Sequence, residues 1–533
     1  MNSINNIASQ YFRVFSVPKV LKVFTAFLAL LAVSACTDDA YDKHYEADPS
    51  LVSGENLWTT IEATPEISRF AAVLKSYGYD QLLSQSQAYT LFAPNNEAMA
   101  LIDTTLMNDV ENELIKNHIA RFFLPASGNE AFPIGTLNRK WIELASMNGN
   151  YFFGSAAFAV PAKSIVASNG IVHVLSGYEA FFPNTWEYLA TRSDLDSIKK
   201  YFYSFDEIRF NEAASTPGSV VDGQLTYIDS VFVNYNTLLS NFGYINREDS
   251  SYTMIVPNNT AWIEAYSRIK DDFVYYNKKA ATADSLQRYY TSLALVQDLI
   301  FSNTTQESPQ DSLVSTSYNT FYHPQYLFDG TEQVTTSNGS IYIANQLKIK
   351  PYESWHQPIT VEAERAFGRE NTLSSALIYR SLGTDISSGR FLCLEPTTSS
   401  GNPTVTFEIP NTLSSYYNIY CVFVPATYIN ANAVGLKPCK VYFNLNYVGS
   451  AGELQTDRFP ESDVIETNPN VMDTVLVVSD FKFPTANYGE RNEAGEAVTT
   501  VTLKVISNVA RSETTAFSRD LLLDCILLEP KKQ

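Results

Sequence analysis

The sequence predicts a multidomain chain: two copies of one α+β domain followed by an all-β sandwich of jelly-roll type. Three observations predict it. The run Thr90-Leu-Phe-Ala-Pro-Asn-Asn-Glu-Ala-Met99 returns as Thr253-Met-Ile-Val-Pro-Asn-Asn-Thr-Ala-Trp262. A second run, Ser168-Asn-Gly-Ile-Val-His-Val174, returns as Ser337-Asn-Gly-Ser-Ile-Tyr-Ile343. The order is kept and the offsets nearly agree, 163 residues from Pro94 to Pro257 and 169 from Asn169 to Asn338. Beyond Ile359, helical spacing gives way to short alternating runs separated by turn residues.

Residues 1–35 read as a targeting segment. Arg13, Lys19 and Lys22 precede a mostly apolar stretch from Val23 to Ala35, too short to span a bilayer comfortably. Its end, Val33-Ser-Ala-Cys36, resembles the lipobox of bacterial lipoproteins, which implies cleavage before Cys36 and lipidation of its thiol. Acyl chains contribute about 0.8 kcal/mol per buried methylene, so several together make a stable anchor. Residues 36–54 form the tether, opening on the acidic run Thr37-Asp-Asp-Ala-Tyr-Asp42. That run resembles the signal that sends lipoproteins of the Bacteroidetes to the outer cell surface. The expectation is an outer-membrane protein, lipid-anchored and surface-exposed, that meets the membrane only through its anchor.

A chain of 533 residues exceeds one core, and two to four domains is the natural division. With 18% charged and 13% aromatic residues the composition is globular and leans to β-structure. A net charge of −20 argues against nucleic acid, whose phosphates it repels, and against adsorption to an anionic lipid surface.

In residues 55–183, Ile67, Phe70, Leu74 and Tyr77 mark an amphipathic helix that Gly78 stops. The apolar run before Pro94 is a strand, and Asn95 or Asn96 caps a helix beginning at Glu97. Val110, Leu114, Ile115 and His118 share a helical face, so His118 is expected as a hydrogen-bonded core residue. Asn169-Gly170 is a turn that delivers the strand Ile171-Val-His-Val174 back into the sheet. The two recurring phrases resemble those of the fasciclin (FAS1) family. The family's Tyr-His pair falls at Asn117-His118, keeping the His and losing the Tyr. The resemblance implies extracellular adhesion or binding modules, not usually enzymes.

Residues 184–352 repeat the plan less closely, with Tyr342 where the first copy has His173. Leu195, Ile198, Phe202 and Phe205 make one helical face; Leu286, Tyr289, Leu293, Val296 and Ile300 make a longer one. The polar stretch from Asn211 to Gly223 and the segment from Ser302 to Ser315 read as surface loops. Pro351 to Pro358 reads as a linker.

Residues 358–533 carry strands at Thr404–Ile409, Tyr417–Val424, Lys440–Leu445, Thr499–Ile506 and Leu521–Leu527. Its two ends, Val361-Glu-Ala-Glu364 and Leu523-Asp-Cys-Ile526, resemble carbohydrate-binding jelly rolls appended to glycoside hydrolases. That resemblance implies a structural Ca²⁺ held by Glu362, Glu364 and Asp524, a hard-oxygen set that suits the ion. All five Trp lie at or before Trp355, so stacking of sugars falls to tyrosines, with Tyr416, Tyr428 and Tyr488 as candidates.

Apart from Cys36 the cysteines are Cys393, Cys421, Cys439 and Cys525, which allow three pairings; Cys421 and Cys525 sit in apolar strand-like runs, where buried free thiols are also at home. No Cys-x-x-Cys, His-Glu-x-x-His, Gly-x-Ser-x-Gly or phosphate-cradling loop occurs, so no enzyme and no further cofactor are expected. The expected role is binding. The first reading is an accessory glycan-binding lipoprotein beside an outer-membrane nutrient importer. The alternative is an adhesion protein that binds another protein or matrix through its fasciclin-like domains.

Overall fold

The computed structural model describes residues 54–531, except 127–130, 148, 161–162, 222–223, 278, 304–310, 374–376, 382–384 and 490–498. Cys36, the targeting segment and most of the tether lie outside the described residues. The chain divides into two compact units after Phe181.

The first unit is built on a four-stranded sheet in the order Ile119–Arg121, Tyr89–Pro94, Gly170–Leu175, Ser164–Ala167. Tyr89–Pro94 runs parallel to Gly170–Leu175 over six residue pairs, from Tyr89 opposite Gly170 to Pro94 opposite Leu175. Helices Leu57–Glu62, Ser68–Ser76 and Tyr79–Leu83 bury Leu57, Ile61, Phe70 and Leu74 beside this sheet. A second four-stranded sheet from Phe132 to Ala157 packs Ile142, Leu144 and Phe153 with Phe92.

The second unit opens on the same sheet: Ile300–Ser302, Tyr252–Pro257, Gly339–Ala344, Glu332–Thr336. Its parallel register runs from Tyr252 opposite Gly339 to Pro257 opposite Ala344, and Met254 faces Ile300 as Leu91 faces Ile119. The duplication is therefore a duplication of topology and register.

The recurring phrases are occupied by this architecture. Asn95 accepts from the Ala98 N–H and caps the helix Asn96–Ala100, one residue earlier than expected because Asn95 alone supplies the cap; Asn258 does the same for Asn259–Ile269. The second Asn of each pair reaches back to the preceding helix. Asn96 accepts from the Arg69 N–H and donates to Pro65 O, and Asn259 accepts from the Ser197 N–H and donates to Ser193 O. Asn169 is buried, donates to Leu83 O and accepts from the Leu57 N–H; Asn338 donates to Ile245 O and accepts from the Thr185 N–H. A Cβ at Gly170 or Gly339 would collide with the carbonyl oxygen of Tyr89 or Tyr252, so only glycine lets the two strands approach.

Two expectations for the second copy are corrected. The stretch read as a loop from Asn211 contains strand Thr216–Val221, paired with Gln224–Asp229, and it is carried on a second ribbon of Asp206–Phe210 with Phe232–Asn236. A two-stranded ribbon in solvent buries neither face, so it leaves no alternation to read. The segment from Ser302 to Ser315 likewise contains a strand, Ser312–Val314, paired with Thr320–Tyr322; its residues 304–310 lie outside the described set.

Pro351 to Pro358 is packed rather than loose. Ser354, Trp355 and His356 are buried. Leu413 and Ala486 from the following domain join the core of the second copy. Backbone and side-chain bonds cross there: Ala486 N–H to Val274 O, Ser414 N–H to Asp272 O, the Tyr275 hydroxyl to Tyr488 O and the Tyr290 hydroxyl to Gly489 O.

The last domain is a sandwich of two six-stranded sheets whose strands all pair antiparallel. One sheet orders Leu377–Arg380, Arg390–Leu394, Leu521–Pro530, Tyr416–Phe423, Asp473–Lys482, with Ile359–Glu362 also on Leu521–Pro530. The other orders Gly368–Glu370, Thr404–Glu408, Thr502–Ser507, Lys440–Val448, Leu454–Phe459, with Ile465–Glu466 also on Lys440–Val448. Leu392, Ile419 and Ile526 meet Val405, Phe443 and Leu503 between them.

Candidate functional site

In the first unit, the histidines are structural. His118 is buried, donates from Nδ1 to Leu114 O at 2.8 Å, and accepts the Glu179 N–H at Nε2 at 3.0 Å. Burial lowers its pKa to about 4, so the ring is neutral, as that bonding pattern requires. His173 is equally buried, held by the Ser164 hydroxyl and Leu124 O, with its pKa also lowered by burial to about 4.

The second copy replaces this pair. By strand register, Asn117-His118 corresponds to Asp298-Leu299. Asp298 is fully buried. Its carboxylate accepts from the Ser315 hydroxyl, the Asn319 amide and the Ser354 hydroxyl, joining the turn after Val314 to the segment that leads into the sandwich. Gln357 donates to the Asn319 side-chain oxygen at 2.8 Å and extends the network. Asp298 left no trace in the sequence pattern, because a lone Asp in an apolar helical pattern reads as a surface charge.

At the sandwich's free corner, the structure brings Glu362, Glu364 and Asp524 around one short segment. Glu362 accepts from the Ser387 hydroxyl at 2.7 Å and Glu364 from the Ser388 hydroxyl at 2.8 Å. Asp524 accepts the Ser387 N–H at 3.0 Å. A three-residue step in the last strand, from Leu523 to Ile526, opposes the two-residue step from Phe423 to Cys421, and this bulge presents Asp524. Burial, with the neighbouring Glu362 and Glu364 charges, pushes the Asp524 carboxyl up to about 6. The second oxygens of Glu362 and Glu364 are buried without a partner. Such orphaned acceptors suit a cation, yet among the described residues no three His, Cys, Asp or Glu are disposed to grip a metal ion. The fit to Ca²⁺ is thus partial.

The three candidate tyrosines are not brought together. Tyr416 begins the strand Tyr416–Phe423, with Lys482 Nζ 5.3 Å from its ring; Tyr428 lies past the other end and bonds Asp385. An eight-residue strand separates them by roughly 25 Å. Tyr488 packs edge-on against Phe273 and Tyr290 of the second copy, and lines a cavity of about 490 Å³ with Trp355 and Asn411.

Sequence reading missed the outward face of the sheet that includes Lys440–Val448. Tyr442, Asn444 and Asn446 alternate with buried Val441, Phe443 and Leu445. Arg458 covers the Tyr442 ring at 4.4 Å, Asn446 donates to the Thr502 hydroxyl, and Asn446 accepts from Thr456. The signal was present as polar residues at every second position. The four cysteines of the sandwich are buried free thiols; burial raises Cys393, Cys439 and Cys525 to about 12 and lifts Cys421 well above the ordinary thiol range, so none is a nucleophile.

Several known proteins are similar to parts of the chain. A FAS1 domain pair from the insect cell adhesion molecule fasciclin I aligns over 54% of this chain and 98% of its own, at 13% identity and a TM-score of 0.20. A Paenibacillus xanthan lyase aligns over 37% of this chain and 16% of its own, at 14% identity and a TM-score of 0.21. The C-terminal family 22 carbohydrate-binding module of a Clostridium thermocellum protein aligns over 33% and 86%, at 13% identity and a TM-score of 0.18. No curated protein sequence matches the chain. The Fasciclin domain model matches residues 65–177, within the first unit.

Proposed function

We propose that the chain is a lipid-anchored cell-surface binding protein, an accessory glycan-binding lipoprotein that works beside an outer-membrane nutrient importer. The observation that carries the glycan reading is the outward sandwich face of Tyr442, Asn444, Asn446, Thr456 and Arg458. Amide, hydroxyl and guanidinium groups on neighbouring rigid strands, beside an aromatic ring, match the alternating hydroxyls and apolar faces of a sugar chain. The lipobox ending in Cys36 and the acidic tether support the location. Glycan-array binding by the full mature chain tests this reading. Binding that Tyr442→Ala with Asn444→Ala abolishes supports it, and no binding to any glycan ends it. Mass spectrometry of the mature N-terminus tests the anchor; an unacylated terminus elsewhere than Cys36 removes it.

A cation at Glu362, Glu364 and Asp524 is part of the same proposal. It would satisfy the two orphaned glutamate oxygens and stiffen the join between first and last strands. A melting temperature that rises with Ca²⁺ and returns on chelation supports it; indifference to Ca²⁺ reduces the three to edge charges.

A second reading, adhesion to a protein, has its own observation. The ribbon of Asp206–Phe210 and Phe232–Asn236 exposes Ile208, Phe210, Phe232 and Val233. Capture of a protein ligand that is lost with Ile208→Asp, alongside a silent glycan array, favours it.

A further inference from the structure

The second copy and the sandwich meet in a trough. One part, about 420 Å³, is lined by Tyr318, Tyr322 and Tyr352. The adjoining part, about 490 Å³, has Thr360 and Asn411 on its sandwich side. The two share Asn319, Gln357 and Pro358 as a common wall, and each lies within the range of small-ligand sites, about 300–1,000 Å³.

Its floor is rigid by construction. Buried Asp298 holds the Ser315 and Asn319 side chains of the turn and Ser354 of the connecting segment, while Gln357 donates to the Asn319 side chain within the common wall. A site fixed in this way does not have to order its walls when a ligand arrives.

The exposed tyrosines are harder to explain by folding. Tyr318 has φ +66° and is 88% exposed. The first copy makes the same turn, with Thr136 N–H to Lys140 O matching Ser315 N–H to Asn319 O, and carries Arg139 at φ +67° in the equivalent place. The left-handed conformation is therefore set by the turn, and neither Arg nor Tyr favours it. Tyr318 buries almost nothing of its own ring in return. Tyr322, at 68% exposure, lines the same part of the trough. Such exposed rings offer flat apolar faces with hydroxyl tips.

We infer that this trough is a binding site for a neutral oligosaccharide, with the Tyr318 and Tyr322 rings stacking on sugar faces and Thr360 and Asn411 bonding hydroxyls. The ligand is neutral because, among the described residues lining the trough, no Lys, Arg or His faces an acidic sugar. Lys350 and Glu353 are paired at 3.2 Å, and the whole chain carries −20. This inference rests on the glycan reading above and adds a site to it.

The test is isothermal titration of the full mature chain with xylohexaose, cellohexaose, mannohexaose and maltohexaose. Three proteins are compared: wild type, Tyr318→Ala with Tyr322→Ala, and Tyr442→Ala with Asn444→Ala. Loss of affinity by about tenfold or more in the first variant, with an unchanged melting temperature, is the expected result. Wild-type affinity in that variant overturns the trough, and if the Tyr442 variant alone loses binding the glycan reading survives without it. A wild-type chain that binds none of the four overturns the trough, whatever the array finds elsewhere.

Discussion

The two copies hang different chemistry on one frame. In the first, the positions after the helix hold Asn117 and neutral His118, and the sheet carries a second neutral ring at His173. In the second, the same positions are Asp298, Leu299 and Tyr342, and the buried carboxylate reaches outside its own domain to Ser354. The hydrogen bonds described for Asn117 stay in its own domain: it accepts from Asn138 and donates to Glu179 O. The difference shows how a duplicated fold acquires a neighbour. The capping asparagines and the close-approach glycines stay, because topology requires them, while a buried polar position is free to change partners.

The largest way to break this comparison is acid. A histidine whose folded pKa lies near 4 and unfolded pKa near 6.5 contributes stability that is whole above 6.5 and lost as pH falls toward 4. At pH 5 the pair costs the first unit about 4 kcal/mol. The second unit has Leu299 and Tyr342 at those places; among its described histidines, His356, lowered by burial and raised by Asp272, is the one shifted the same way. Calorimetry at pH 7 and pH 5 should therefore show one transition falling well before the other, and parallel shifts would refute the contrast.

Next comes the carboxylate itself. Asp298→Ala strands the Ser315, Asn319 and Ser354 donors and is expected to cost about 3 kcal/mol, against about 1 kcal/mol for Asn117→Ala, by chemical denaturation. Equal losses would deny Asp298 its bridging role.

Glycine substitutions sharpen the likeness instead. Gly170→Ala and Gly339→Ala both drive a Cβ into a carbonyl oxygen, for about 1–3 kcal/mol each. Gly339 has φ +145° as well, so its loss should be the larger of the two. The smallest effect is expected at Tyr318→Ala, within about 0.5 kcal/mol of wild-type stability, since the ring is exposed.

The duplication was legible because its signals are local: a cap, a turn and a close approach each restrict residue type at fixed spacing. His118 was legible as core because its helical spacing faced inward. The sandwich was legible where one sheet face meets solvent, as in Lys440–Val448. It was less so at Arg390–Leu394, where four of five residues are buried and alternation vanishes. The carboxylate corner was legible only through resemblance, since Ser387 and Ser388 are far from it in sequence. The trough was not legible at all. Its walls come from a turn, a connecting segment and two sandwich loops, and no short-range pattern records that they meet.

The buried join from Ser354 to His356, with Leu413 and Ala486 inserted into the neighbouring core, has a practical consequence for anyone handling the gene. A cut at Pro358, the natural place to excise the sandwich, would strip apolar surface from both fragments and leave each prone to precipitate. The compact unit that holds both begins at Phe182, so the transferable cassette begins there as well.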